Sequence, residues 1–145
     1  MKGFLRLCLL ICGGMTSVLA LSQTAADTQK IGDQAHETKA TIEGLVRDIA
    51  CPIQNLEATA THLNMKCLLE CARKGSPLVI LTKDGNLYLP ISEQMPDTDQ
   101  RQKLMPFLGK YVRARGTVYE RKGTRAIVIN EIEELKEVHL TIEDQ

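Results

Sequence analysis

The chain of 145 residues has no tryptophan, and aromatic residues make up 3% of it. Without stacking platforms it has no surface of the kind that holds unpaired bases. It also lacks charge of one sign, with 18 basic residues set against 18 acidic ones. A chain near neutrality has no long-range attraction for polyanions. There is no glycine-rich phosphate loop. Cys-x-x-Cys-His is absent too, and Ala72 follows Cys71, which excludes the usual covalent haem attachment. Ser76 and Ser92 have no neighbouring base, so no hydrolytic constellation is visible and no catalytic or cofactor-binding residue is assigned. No apolar run reaches the roughly 20 residues that a spanning helix needs.

What is present begins with Met1-Lys2-Gly3-Phe4-Leu5-Arg6 and an apolar run from Leu7 to Ala20. Two positive charges, a short apolar core and small residues after it are the pattern of a secretory signal. The expected signal is 1–26, with cleavage after Ala20 or Ala26. Cys8 and Cys12 then leave with it, and Ile11 is too large to precede a lipidated cysteine. The mature chain would have no membrane span, roughly 120 residues and a slight negative charge, enough for one domain. Its small size and few cysteines favour the periplasm, an oxidising compartment.

Residues 27–40 are polar and weakly patterned and read as a flexible leader. His36 in that leader and His139 near the end are expected to be solvated. A first strand is predicted over Thr41–Ala50, with Gly44 marking a bulge or bend. Cys51-Pro52 ends it, because proline cannot continue a central ladder. From Glu57 to Lys74 the residues favour helix, and Gly75 stops it. Pro77–Thr82 reads as a short buried strand, Lys83-Asp84-Gly85-Asn86 as a tight turn, and Asn86–Ile91 as the returning strand. Asp97 is placed to cap a helix running to about Leu108, with Pro106 and Gly109 near its end. Tyr111–Glu120 and Arg125–Leu135 read as a final hairpin. The tail over 137–145 is charged and expected to fray.

The resulting order is strand, helical insertion, strand, strand, helix, strand, strand. This predicts a mainly β fold with helices: a five-stranded OB-like barrel over 41–136, carrying a Cys/His insertion over 51–75 after its first strand. The basic run Lys110, Arg113, Arg115, Arg121, Lys122, Arg125 raises the question of nucleic acid. A hairpin turning near Lys122-Gly123 puts the arginines opposite Asn130–Glu134, and cross-strand Arg–Glu pairs would neutralise the patch. No nucleic-acid partner is expected.

The remaining signal is Cys51, His62, Cys67 and Cys71. Sulfur and imidazole are the ligands of zinc and copper. Cys67 and Cys71 are four apart and share a helix face. His62 can join them only if the helix starts near Asn64. All four together would suit tetrahedral zinc, and Met65 beside a cysteine pair would suit copper(I). Three cysteines in an exported chain also fit one disulfide and a spare thiol, with Cys51 stapled to Cys67 or Cys71. A redox-active thiol pair is the third option.

The set Cys51, His62, Cys67, Cys71-Ala72, Gly75, Pro77-Leu78, Asp84-Gly85 and Leu87-Tyr88 resembles a group of small exported bacterial proteins of uncharacterised function, over about Gly44–Tyr88. It implies no particular activity, and it makes the four ligand-type residues the ones to examine. Cys-x-x-x-Cys with a distant histidine is also similar in spacing to the copper site of exported Sco-type assembly proteins, without their thioredoxin-like element order. The expectation is therefore a binding module rather than an enzyme. Its partner would be a metal ion, zinc or copper, or else another periplasmic protein.

Overall fold

The computed structural model describes residues 36–143. The expected signal and most of the expected leader lie outside the described residues. Strand β1 (His36–Asp48) is followed by helix α1 (Ala50–Gln54), strand β2 (His62–Asn64) and helix α2 (Met65–Arg73). Then come β3 (Leu78–Thr82), β4 (Leu87–Pro90), helix α3 (Arg101–Leu104), β5 (Tyr111–Arg121), β6 (Thr124–Glu134) and β7 (Thr141–Glu143).

Five strands close into a barrel in the order β1-β3-β4-β6-β5. Counted among the barrel strands alone, this is the order 1-2-3-5-4. All neighbours are antiparallel except β4 and β6, which run parallel. That is the OB-like arrangement expected from the element order. β1 is long enough to pair with β5 over its first ten residues and with β3 over its last five. The two ladders overlap at Gly44 and Leu45, where β1 passes from one neighbour to the other.

The barrel interior follows the period of two along each strand. Ile42 and Val46 from β1 meet Leu78 and Ile80, Val112 and Ala114, and Ile127 and Ile129. Ala72 of α2 and Leu104 of α3 belong to the same cluster. β3 is buried at every residue, which explains its unbroken run Leu-Val-Ile-Leu-Thr. The alternate residues Leu45 and Leu81, with Tyr111, belong to a second core that takes in Ala60, Leu63, Leu68 and Leu135. The insertion is thus packed onto the barrel wall.

Several sequence expectations change. β1 starts at His36, so residues 36–40 of the expected leader are strand, paired with Gly116–Glu120. The register of β1 runs unbroken through Gly44, and the irregularity lies instead between Arg115 and Gly116 on β5. Both glycines are demanded by close approach. A Cβ on Gly44 would fall 2.4 Å from the Leu81 carbonyl oxygen, and one on Gly116 still nearer to that of Val128.

The helix expected over Glu57–Lys74 survives only as Met65–Arg73. His62–Asn64 just before it form β2, which pairs in parallel with β7, and residues 57–61 are turn and loop. The tail is therefore not frayed throughout: Thr141 N–H bonds the Thr61 carbonyl, and Val138 and Leu140 pack on the second core. The helix expected from Asp97 is likewise short, followed by a 3-10 turn over Met105–Phe107 that holds Pro106. Asp97 instead accepts from the Ser92 backbone N–H and hydroxyl.

The last hairpin agrees with expectation. Ile127 and Ile129 are buried, Arg113 sits across from Glu133, and Arg115 across from Glu131. Arg113 bonds Glu43 and Glu133 at 2.8 and 3.3 Å, and Arg115 bonds Glu131 and Glu133 at 3.1 and 3.4 Å.

Candidate thiol site at the insertion–barrel junction

β1 ends in Arg47-Asp48, and both side chains are buried, at 3% and 0% exposure. The chain then turns into α1. Asp48 Oδ2 accepts the Cys51 backbone N–H at 2.9 Å, fixing the cysteine one turn beyond the strand. Ile49 N–H bonds the Pro77 carbonyl, so the entrance and exit of the insertion are held side by side. This closes the loop that brings α2 back over Cys51.

α2 is started by Asn64, whose side-chain oxygen accepts the Cys67 N–H at 2.8 Å. Its apolar face carries Leu68 and Ala72 into the two cores. Its far end is held by Arg101, which donates to the carbonyls of Ser76 and Ala72. Burial of Leu68 and Ala72 sets the rotation of the helix. That rotation leaves Cys67 exposed and Cys71 half-buried, and Cys51 is half-buried as well.

The three thiols share one electrostatic neighbourhood. Burial pushes the Cys71 thiol up, and so do the Asp48 carboxylate, the Cys67 sulfur, a hydrogen bond with Cys67, and Cys51. Burial also pushes Cys51 up, with Asp48 and Cys67 acting in the same direction. The Arg47 guanidinium opposes this, by its charge and by a hydrogen bond to the Cys51 sulfur. All three cysteines are free thiols. Among the described residues, no three His, Cys, Asp or Glu side chains already stand as a shell for a metal ion.

His62 lies just ahead of α2, as its joining the cysteines requires. Its Nε2 is 2.9 Å from Glu143 Oε1, a residue of the C-terminal strand. It shares a cavity of about 300 Å³ with Cys51, Arg47 and Asn64. Met65 packs on the second core, its thioether beside Gly109.

Arg47 and Asp48 were not singled out as site residues from the sequence. The signal was present: two charged residues follow Leu45-Val46 at the end of β1, just before Cys51. Asp48 Oδ1 and Arg47 Nε are buried without a hydrogen-bond partner, which is uncommon for buried polar atoms and marks this junction. His36 is exposed and bonded to Thr38, away from this place. No described helix is long and apolar enough to cross a membrane.

Comparison of the chain with protein-family models, curated proteins and solved structures returns no match. The likeness to small exported bacterial proteins gains no support from these comparisons.

Proposed function

We propose that this protein is a small exported binding module whose thiols Cys51, Cys67 and Cys71 take up one soft metal ion, copper(I) ahead of zinc. The observation that carries the reading is the placement of Cys67 and Cys71 one turn apart on α2, with Cys51 held by Asp48 where the insertion leaves β1 and returns at Pro77. Cys67, Cys51 and Asp48 all push the Cys71 thiol in the same direction. Negative charge on Cys67 disfavours ionisation of Cys51 and Cys71, and Asp48 adds to this. A cation bound among them would reverse that penalty, because a coordinated thiol loses its proton outright. Three sulfurs suit copper(I). Zinc would ask for a fourth ligand, and His62 is the nearest sequence candidate, now engaged by Glu143. Uptake requires the cysteine side chains to turn inward, since they do not stand ready as a shell.

A second reading has one observation of its own. Cys67 lies exposed in the first turn of α2, the position where attacking thiolates of redox proteins are commonly found. Native mass spectrometry of reduced protein, titrated with copper(I) and with zinc, separates the readings. One retained ion, lost in Cys67→Ser and in Cys71→Ser, supports the metal site. No retained ion of either kind sinks it. A mass lower by two hydrogens in protein isolated without reductant supports a staple, and turnover in an insulin-reduction assay supports the redox pair.

A further inference from the structure

The cavity beside Cys51 has a chemistry of its own. Arg47 lines it, buried, with Nε unpartnered. Among the described residues no carboxylate forms an ion pair with this guanidinium. A buried cation without an anion is unfavourable, and the usual remedy is an anionic partner.

The same wall carries two side-chain amides, Asn55 and Asn64. The oxygen of Asn55 accepts the Glu57 N–H, and that of Asn64 accepts the Cys67 N–H. Both carboxamides therefore turn their NH₂ groups to other use, as donors. Glu57 and Glu143 also line the cavity, and Glu143 holds His62. Donors and a fixed positive charge thus share about 300 Å³ with two carboxylates. That volume is at the small end of ligand pockets.

We propose that this cavity binds a small zwitterionic α-amino acid, its carboxylate on Arg47, Asn55 and Asn64 and its ammonium toward Glu57 and Glu143. A simple anion would be repelled by the two glutamates, and a simple cation by Arg47. A molecule with both charges a few bonds apart satisfies both sets. Ala58 and Leu63 supply an apolar wall that suits a small side chain. The inference does not depend on the metal reading, since neither the guanidinium nor the amides are metal ligands.

The test is an NMR titration of the full-length, ¹⁵N-labelled chain, kept reduced and metal-free, with L-alanine, acetate and methylamine as probes. Alanine should move the side-chain amide signals of Asn55 and Asn64 saturably. Acetate should bind roughly tenfold more weakly, and methylamine not at all. Arg47→Met should abolish the alanine response while keeping the spectrum of a folded barrel. Glu57 is exposed, so Glu57→Gln should fold normally and weaken alanine but not acetate. No saturable response to alanine, equal binding of acetate, or an unchanged response in Glu57→Gln would each overturn the proposal. These outcomes leave the metal titration untouched, so the two readings fail separately.

Discussion

Arginine is handled in opposite ways at two places in this molecule. On the β5–β6 hairpin, Arg113 lies between Glu43 and Glu133, Arg115 faces Glu131 and Glu133, and Arg125 meets Glu120. These pairs are solvent-exposed and individually weak, yet they set a carboxylate against each of the three arginines. At the junction, Arg47 and Asp48 are adjacent in sequence and both buried, and each keeps an unpartnered atom. Consecutive strand residues point to opposite faces, and these two form no ion pair with each other. On the hairpin, antiparallel register cancels charge across strands. At the junction, strand alternation holds the charges apart and leaves a demand for something else to bind.

The contrast assumes that the junction is part of the folded core and not an appendage. Leu68 is 1% exposed and joins α2 to the barrel wall. Leu68→Ala should cost about 3 kcal/mol of global stability and keep a single unfolding transition. Urea denaturation followed by circular dichroism checks this. A barrel transition unmoved by the mutation would make the insertion an independent flap.

A smaller effect should appear at alkaline pH. Cys71 and Cys51 are both held above their ordinary thiol values, by burial first and by neighbouring negative charge second. The folded state then keeps these protons longer than the unfolded chain does. The stabilisation is complete below the unfolded thiol pKa of about 8.5 and is lost as pH rises through the folded values. Cys71→Ser should flatten that decline. Tyr111 is also raised, by burial first, but it is common to both proteins and drops out of the difference. An identical alkaline slope in the variant would mean that the junction thiols are not linked to folding.

Asp48→Asn sharpens the same point without removing the acceptor for Cys51 N–H. The pH profile of alkylation at Cys51 and Cys71 should move to lower pH. The move should be partial, because burial remains the leading cause. Mass-resolved iodoacetamide labelling reads each site, and an unmoved profile would separate Asp48 from the thiols. The smallest effect belongs to the hairpin. Arg115→Ala should change stability by about 0.5 kcal/mol or less, and by still less in high salt. A large, salt-independent loss would show that the hairpin pairs are not ordinary surface pairs.

The sequence was most legible where local pattern and tertiary demand agree. Ile127 and Ile129 announced the barrel interior, and Arg113 and Arg115 announced their glutamates, because a hairpin with a tight turn has only one register to choose. It was least legible over Glu57–Asn64. Alanine and leucine there favour helix, yet Ala60 and Leu63 are buried and the backbone of His62–Asn64 is taken by β7, some eighty residues away. Helix propensity is a weak prior, and a packed strand partner overrides it. The tail was misread for the same reason, its charge concealing Val138 and Leu140.

Cys51, His62, Cys67 and Cys71 were visible as residue types, but their arrangement was not. Whether Cys67 falls within a helix or in its first turn depends on where Asn64 caps it, and β2 sets that point. Arg47 and Asp48 stood in plain view as charges beside Leu45-Val46 at the end of β1. Only the covering insertion buried them and left one atom of each without a partner. The sequence by itself determined the barrel, since alternation and turn chemistry act over a few residues. The tertiary structure alone decided the junction, because burial and the meeting of side chains from β1, α2 and β7 depend on contacts distant along the chain.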